Sequence, residues 1–448
     1  MRAHLGGALV LLSACSRAPV DVVLITVDTL RVDHVSAYEP DGPAKTPNMD
    51  GLAEDGVIHT QAFSPVSVTA PAFASLMTGQ SPEQHGVLMN QFRGGDPLSP
   101  DAVTLAERFA EAEAKYATAG FVSAYTLRRA VGLGQGFQVY NGGERANRWG
   151  DQTISTALSW LESHRERPIF LWVHSYDPHG PVRRFAKPAD RRAEWKDVPE
   201  NAAHIPMYQK ADEITDPAFY AQMYVRGVQY ADRQVGRVIE ALKEQGRYED
   251  ALIILLADHG ETLTERDLWF DHGTSAHVEQ LHIPLIVKYP KNRRAGSHDD
   301  RLISLMDVTP TVLSEARLPA LPDPAGVALT TSGTLHDALK GEGSHCKEVE
   351  ILKCRPRGGL GKELSVRSLA HTVVHQSRSP DDLRLFYNRT TDPKELQPAP
   401  DGEPQGLSSI LDAMHVDRAA RTYADPPGSA AAQDSEEIQK LKKLGYVE

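Results

Sequence analysis

The sequence has little cysteine, no excess of positive charge and no long apolar run, and each of these absences argues against one class of protein or site. Of its three cysteines, Cys346 and Cys354 are two thiols without a histidine pair spaced to complete a zinc site, although they could form one local disulfide in an oxidising compartment. The 48 Lys and Arg residues are outnumbered by 60 Asp and Glu, which leaves a net charge of −12 and no basic stripe. The composition therefore argues against a nucleic-acid partner.

The apolar run at the N-terminus, Leu5 to Leu12, is too short to cross a bilayer as a helix, and no later stretch is apolar enough. It ends in Leu12-Ser13-Ala14-Cys15, which resembles the lipobox of bacterial lipoproteins. We interpret residues 1–14 as a signal peptide and residues 15–20 as a linker that follows a lipidated, membrane-anchoring Cys15. The alternative is an ordinary secretory signal with Cys15 as a bystander. Both alternatives predict an exported protein, and the first predicts periplasmic or outer-membrane anchoring.

The length of 448 residues is sufficient for one large domain and one smaller unit. Hydrophobic residues at 41% and charged residues at 24% are typical of a globular protein. From Pro319 the composition shifts towards Pro, Gly, Thr and Ser, which predicts a boundary. We therefore expect a large domain over 21–318, a smaller C-terminal unit over 319–425, and a polar tail over 426–448 that contains a terminal helix.

Two apolar strands end in residues that can bind a cation. The stretch LIILLADHGE runs from Leu252 into Asp258 and His259, and DVVLITVDTLRVD places Asp28 after a similar run. Short continuous apolar runs are typical of buried strands, and ligands bind beyond the carboxyl ends of the strands in an open α/β sheet. The alternative is a strand followed by a polar turn. Two carboxylates and an imidazole at such tips indicate a divalent cation site.

A helix is predicted to begin near Thr69 or Ala70, because Pro71 precedes an apolar helical pattern and proline is tolerated in a first turn. A helix N-terminus presents free N–H groups and positive dipole, which suit an anionic ester. Thr69 as a plain helix cap is the alternative. Further helices are predicted over 47–53 with Asn48 as the cap, 102–114, 151–165, 220–245, 306–316 and 436–444. Further strands are predicted over 168–174, 285–288, 366–374 and 383–387, with an irregular excursion over 183–216 and a loop over 267–284.

With these residues in view, the chain resembles the sulfatase family of the alkaline-phosphatase superfamily. The resemblance covers nearly the whole chain after Cys15, and it depends on the order and spacing of many short blocks. The matching blocks are Asp28–Arg31, Thr46–Asn48, Thr69–Pro71 with Leu76–Gly79, His85–Val87, Asp177–His179, Asp258–Glu261, Glu279–Leu281 before Pro284, Asp307 with Pro310-Thr311, Leu385–Tyr387 with Thr391–Glu395, and Leu444–Tyr446.

The resemblance implies an α/β fold, in which a large, mainly parallel sheet is flanked by helices and followed by a small antiparallel C-terminal sheet. It also implies one divalent cation held by Asp28, Asp258 and His259, with Thr69 both touching the cation and standing at the nucleophile position. The oxygen-rich donors suit Ca²⁺, Mn²⁺ or Mg²⁺, and Zn²⁺ is an alternative. His179 would bind the ester oxygens or protonate the leaving group, unless it is a solvent-facing loop residue.

Several positions depart from the family pattern. Common sulfatases mature a cysteine, or sometimes a serine, to formylglycine within a motif that continues x-Pro-x-Arg. Here Thr69 and Phe73 occupy those two positions, so that maturation cannot occur. Gln80 replaces a second arginine, and Thr29 replaces one of two paired aspartates. The family pattern has a Lys or His between the positions of Asp271 and Thr274. His272 is the best candidate for this residue, and His277 is the alternative.

Three functions are compatible with these residues. The first is a metal-dependent hydrolase of sulfuric or phosphoric esters, acting by in-line attack of a metal-activated Thr69 on a sulfated or phosphorylated glycan or lipid. The second is a transferase that moves a phosphoryl group to an envelope glycan or lipid. The third is a degenerate relative that binds anionic glycans, which the missing arginines favour and the retained cation ligands oppose.

Overall fold

The computed structural model of the protein describes residues 18–91, 96–144, 146–266, 269–343, 363–376, 383–399 and 406–419. The predictions made for Cys15, for the Cys346–Cys354 disulfide and for a helix over 436–444 lie outside these ranges. No helix within the ranges combines the length and the apolar character needed to cross a membrane.

The described chain alternates strands and helices along the large domain and then forms consecutive strands. The strands are β1 (Val22–Val27), β2 (Val57–His59), β3 (Ala62–Phe63), β4 (Ala117–Val122), β5 (Val139–Asn141), β6 (Ile169–Ser175), β7 (Leu252–Leu256), β8 (Leu285–Lys288), β9 (Ser297–Asp299), β10 (Ile303–Ser304), β11 (Leu339–Gly343), β12 (Glu363–Arg367), β13 (His371–Gln376) and β14 (Leu383–Asn388). The α-helices are α1 (Pro47–Glu54), α2 (Thr69–Thr78), α3 (Pro82–His85), α4 (Leu105–Ala110), α5 (Gly150–Glu162), α6 (Pro188–Arg192), α7 (Pro217–Glu244), α8 (Val278–Leu281), α9 (Val308–Ala316) and α10 (Leu407–Ala419).

The large sheet of the described chain has eight strands in the order β5-β4-β6-β1-β7-β8-β2-β9. The first five run parallel, β8 is antiparallel to both of its neighbours, and β2 and β9 are parallel. Every residue of β1 and β7 is buried, as expected for central strands rich in β-branched and aliphatic residues and covered on both faces. The predicted α/β sulfatase-like fold is confirmed, and the carboxyl ends of β1, β6 and β7 meet at one edge.

The small C-terminal sheet is antiparallel, with the strand order β11-β12-β13-β14. The single strand predicted over 366–374 is wrong, because the chain turns after Arg367 and pairs back on itself from His371. Helix α10 was not predicted. Leu407, Leu411 and Met414 on this helix form a separate apolar core with residues of β12 and β13.

Two local predictions need correction. Helix α1 is capped at Thr46, and Asn48 instead donates its backbone and side-chain N–H groups to Asp232 on α7 at 3.0 and 2.7 Å. The helix predicted over 102–114 is limited to Leu105–Ala110, with a capping box formed by Thr104 and Glu107. The excursion over 183–216 is irregular as predicted, apart from α6 and two short 3₁₀ turns.

A buried charge cluster joins the small sheet to the large domain. Arg367 on β12 is buried, donates to the carbonyl of Ala276 at 2.6 Å and lies over the ring of Phe63 at 4.7 Å. The carboxylate of Glu395 is also buried and accepts the backbone N–H of Val278 at 3.0 Å. Although burial raises the pKa of Glu395, Arg367 and His277 outweigh it, so the net pKa lies below the ordinary value. Buried charged side chains of the C-terminal unit thus contact the segment 276–278 of the preceding unit.

Replacing Glu395 by glutamine is expected to lower the free energy of unfolding by about 1–3 kcal/mol at pH 7, because the buried Arg367 loses a nearby negative charge. The wild-type carboxylate has a lowered pKa, so its stabilising effect exists above the unfolded pKa of about 4.3 and is lost as the pH falls further. Denaturant unfolding at pH 7 and pH 4 would measure both effects. The exposed Glu113→Gln variant is the matched control, and an equal loss in both variants would contradict the prediction.

Candidate active site

The carboxyl ends of β1 and β7 bring two aspartates together. Asp28 follows β1 directly and donates its backbone N–H to the carbonyl of Ser175 at the end of β6, at 2.9 Å. Asp258 lies two residues after β7. Both carboxylates are completely buried, because the parallel strands that carry them lie side by side at the centre of the sheet.

Asp28, Asp258 and His259 each offer one ligand atom, and these atoms lie within 4.8 Å of one another. Among the described residues, neither carboxylate oxygen of Asp28 nor the Oδ2 atom of Asp258 has a hydrogen-bond partner, and all three are buried. Burial, and then the charge of Asp258, raises the pKa of Asp28 well above its ordinary value. Buried, unpaired carboxylate oxygens are costly unless a cation neutralises them. The donor set therefore fits a divalent cation.

The imidazole of His259 is held in a ligand-ready orientation. Its Nδ1 lies 2.9 Å from the carbonyl oxygen of Gly260, which accepts a hydrogen bond from the protonated Nδ1. A neutral ring with its proton on Nδ1 presents the lone pair of Nε2, and a backbone carbonyl is a common partner for the non-ligating nitrogen. Nε2 lies 3.3 Å from Asp258 Oδ2 and 3.3 Å from Thr69 Oγ1.

Thr69 is the first residue of α2, and Val68 is the cap residue. The alternative of Thr69 as a plain helix cap is therefore wrong, and its hydroxyl points instead to His259. The expectation that the helix start offers free N–H groups also needs correction, because the N–H of Ala70 donates to Asn90 Oδ1 at 3.0 Å. Asn90 is a buried site residue that we did not predict.

Thr29 holds a strained turn beside the aspartates. Its φ of 54° lies in the left-handed region, which is unfavourable for a β-branched residue. In this conformation its N–H donates to Asp258 Oδ1 at 3.3 Å, and its carbonyl accepts the hydroxyl of Tyr224 at 2.6 Å. The strained backbone thus orients Asp258 where the family pattern has a second aspartate.

The rings of His259, His272 and His179 lie next to one another in that order. The ring centroids of His259 and His272 are 4.7 Å apart, and those of His272 and His179 are 4.6 Å apart. His272 Nδ1 lies 3.3 Å from Oε1 of Glu261, whose pKa is raised to about 8 mainly by burial. The competing His277 lies elsewhere, at the junction of the sheets, with its Nδ1 2.6 Å from Glu363.

His179 is buried rather than exposed to solvent, so the loop alternative is wrong. Its Nδ1 bonds to the carbonyl of Gly180 at 2.8 Å, and its ring stacks on Tyr176 at 4.2 Å. Burial, followed by the neighbouring His272, lowers the pKa of His179 well below 6.5. The ring is therefore neutral at neutral pH before a substrate binds, with Nε2 as an acceptor.

Neither Phe73 nor Gln80, which stand where the family pattern has arginine, places a charged side chain in the site. Phe73 is fully buried and packs on Trp172 and His174, each with a ring-centroid separation of 5.1 Å. Gln80 lies near the surface, with its side-chain amide donating to the carbonyl of Pro322 at 3.3 Å. Position 73 therefore lies in an aromatic environment.

Three further residues complete the site and were not predicted. The Nε2 atom of His174 lies 3.4 Å from Asp28 Oδ2. Burial lowers the pKa of His174 to about 4, so this ring is a neutral neighbour of the candidate cation ligands. Asp177 accepts the N–H of Gly150 at 2.8 Å and an N–H of Arg184 at 2.5 Å. A Cβ at position 150 would lie 2.6 Å from Ser175 Oγ and 2.7 Å from Asp177 Oδ2, so glycine leaves room for these two side chains.

Known proteins share this sequence pattern over most of the large domain. The chain is 26% identical over 318 residues to an ulvan-active sulfatase from Formosa agariphila, covering 64% of this chain and 51% of that protein. It is 28% identical over 383 residues to the multifunctional alkaline phosphatase superfamily protein PehA from Trinickia caryophylli, covering 65% and 73%. The chain thus spans about half the length of the first of these relatives.

The structure superposes on the phosphonate monoester hydrolase of Agrobacterium radiobacter with a TM-score of 0.70 at 20% identity, covering 89% of this chain and 96% of that one. At this identity the likeness establishes the fold. The Sulfatase family model matches residues 20–317, which include β1, α2, β6 and β7 and so every residue of the candidate site. The chain belongs to the sulfatase family.

Proposed function

We propose that this protein is a metal-dependent ester hydrolase in which Thr69, rather than formylglycine, is the nucleophile. The observation that carries the proposal is the position of the Thr69 hydroxyl, which lies 3.3 Å from His259 Nε2 at the start of α2. The ligand atom of His259 lies within 4.8 Å of those of Asp28 and Asp258, and both oxygens of Asp28 and Oδ2 of Asp258 have no hydrogen-bond partner among the described residues. Membership of a family of sulfate ester hydrolases supports the reaction class.

Asp28, Asp258, His259 and the Thr69 hydroxyl would hold the cation. A divalent cation bound there would supply Lewis acidity, lowering the pKa of a bound hydroxyl and offsetting charge that develops on the ester oxygens. Ca²⁺, Mn²⁺ and Mg²⁺ suit these donors, since three of the four are oxygens.

Thr69 Oγ1 would attack sulfur or phosphorus in line, giving its proton to solvent, so that the bond to the leaving oxygen breaks as the new ester forms. An anionic ester beside His179 would favour uptake of a proton from solvent at Nε2, which would then pass to the leaving alcohol. In the second half, water would attack the sulfur or phosphorus of the Thr69 ester and give a proton to Nε2, while the released Oγ1 takes a proton from solvent to restore the hydroxyl. His272, oriented by Glu261, borders the same space and would bind an ester oxygen.

A sulfated glycan is the proposed substrate class. The support is the similarity to an ulvan-active sulfatase, while the similarity to a multifunctional alkaline phosphatase superfamily protein keeps phosphoric esters in the proposal. We further propose that Cys15 anchors the exported protein to a bacterial membrane, which would place the site in the periplasm or at the outer membrane. The sequence Leu-Ser-Ala-Cys at 12–15 supports the anchor.

Turnover of an aryl sulfate, an aryl phosphate, a bis-aryl phosphate and an aryl phosphonate monoester tests the proposal. Each substrate would be assayed with metal-free protein and then with Ca²⁺, Mn²⁺, Mg²⁺ or Zn²⁺. We expect hydrolysis of at least one ester class that requires added cation and does not require a hydroxyl acceptor. Turnover only with an added acceptor would favour a transferase. If no substrate is hydrolysed and the protein binds no cation, the enzyme proposal is overturned.

A further inference from the structure

Hydrolysis of an anionic ester benefits from a cationic side chain that holds the ester oxygens, yet Phe73 and Gln80 stand where the family has arginines. Arg31 is close to the site, but its guanidinium is committed to the carboxylates of Asp33 and Glu265 at 2.6 and 2.8 Å. It also donates to the carbonyl of Glu261 at 2.8 Å. The missing charge must therefore come from another element.

Arg184 supplies a guanidinium from the 3₁₀ turn Val182–Phe185, on the segment that follows β6 and His179. Its guanidinium carbon lies 4.7 Å from the ring centroid of Trp149, 4.9 Å from that of Phe185 and 5.3 Å from that of Tyr176. Such an aromatic enclosure holds a planar guanidinium in one place and leaves its edge for hydrogen bonding.

The hydrogen-bond partners of Arg184 leave part of its edge open. Its Nη2 bonds to Asp177 Oδ1 at 2.5 Å, and Asp177 is itself fixed by Gly150 and Ser175. In the described structure the Nε–H of Arg184 is buried and has no hydrogen-bond partner. A buried N–H of a charged group without a partner is costly unless a ligand meets it.

Arg184 also lies beside the reacting groups. Tyr176, which packs under the guanidinium, stacks on His179 with a centroid separation of 4.2 Å. Arg184 thus contacts the ring of Tyr176, and successive ring contacts connect Tyr176 through His179 and His272 to His259. Behind the larger effects of burial and of neighbouring histidines, the charge of Arg184 contributes to the lowered pKa of His179.

We propose that Arg184 binds the anionic oxygens of the substrate ester, doing from the β6 segment what an arginine on α2 does in common sulfatases. Its Nε–H and remaining Nη–H groups would donate to the ester, while Asp177 and the aromatic enclosure keep the guanidinium in place. The inference rests on the proposed function for its substrate class. It concerns a residue outside the blocks by which the chain resembles the family.

The test compares the wild-type protein with Arg184→Gln and Arg184→Lys, all supplied with Mn²⁺. Isothermal titration with inorganic phosphate and inorganic sulfate measures anion binding without turnover, and KM and kcat are measured on whichever aryl ester the wild type hydrolyses. Arg165→Gln is the matched control, because it removes an arginine that is also paired with a carboxylate but lies exposed on the α5 side of the protein. Thermal melting with and without Mn²⁺ checks that each variant folds.

We expect Arg184→Gln to weaken anion binding and to raise KM by roughly tenfold to a hundredfold, with a smaller change in kcat. Arg184→Lys should lie between the wild type and Arg184→Gln, since it keeps the charge and loses the planar fork. Anion affinity and KM within twofold of the Arg165→Gln values would overturn the inference, as would a fall in kcat alone. If the wild type hydrolyses no ester, the proposed function fails, while loss of phosphate binding in Arg184→Gln still supports the inference.

Discussion

Replacing Thr69 by alanine is expected to lower kcat/KM for ester hydrolysis about ten-thousandfold or more, the usual scale for loss of a nucleophile. The variant removes the only atom of this residue that reaches the site, the Oγ1 that lies 3.3 Å from His259. Thr69 is buried in the first turn of α2, whose capping residue is Val68, so the methyl of alanine should leave the helix intact.

Steady-state kinetics on the best aryl ester would measure this loss. Thr69→Ser is the matched control, because it retains a hydroxyl on Cβ and should keep activity within roughly tenfold of the wild type. Mass spectrometry of acid-quenched protein during turnover should find the sulfuryl or phosphoryl group on the peptide that contains Thr69. Retention of wild-type activity in Thr69→Ala would show that another group, or water, attacks the ester.

Replacing Asp28 by asparagine is expected to have opposite effects on activity and on the stability of the metal-free protein. Activity should fall roughly a thousandfold or more, because weaker cation binding removes several kcal/mol of charge stabilisation. The metal-free variant should gain about 1–3 kcal/mol of unfolding free energy, since a neutral amide replaces a buried carboxylate without a partner. The raised pKa of Asp28, caused first by burial and then by Asp258, reflects this cost.

Thermal melting with and without Mn²⁺ would separate the two effects. The wild type should melt at a markedly higher temperature with the cation, whereas Asp28→Asn should start higher and respond little. The exposed Asp101 offers a control, since Asp101→Asn removes a carboxylate that is not part of the candidate site. A metal-free Asp28→Asn protein less stable than the metal-free wild type would contradict the view that this carboxylate is kept for function at the expense of stability.

The sequence was sufficient for the elements that depend on local pattern. The apolar runs at 22–27 and 252–256 predict buried strands, and polar residues directly after them must lie at the sheet edge. Asp28, Asp258 and His259 could therefore be assigned to one site, because parallel strands end together. The fold class was predictable for the same reason, since the alternation of strands and helices recurs along the large domain.

Predictions failed where one side chain or a short turn decided the outcome. The run over 366–374 contains two strands, because the turn residues Ser368 to Ala370 interrupt a pattern that is apolar on both sides. Asn48 resembles a helix cap in sequence, but Asp232 on α7 binds its N–H groups and Thr46 becomes the cap. The preference of Asn for caps is worth about 1 kcal/mol, which two charge-assisted hydrogen bonds can exceed.

By itself the sequence predicted the strands, the candidate cation ligands at their tips and a helix start near Thr69, because these follow from local periodicity and chain direction. Only the tertiary structure decided that His272 and not His277 lies beside His179, that Phe73 packs between Trp172 and His174, and that Arg184 lies over Tyr176. His272 lies beside His179, whereas His277 bonds to Glu363 more than 80 residues away, and Arg184 depends on Trp149, Tyr176 and Asp177 for its position. Such contacts join residues that are distant in the chain, so no local pattern can predict them.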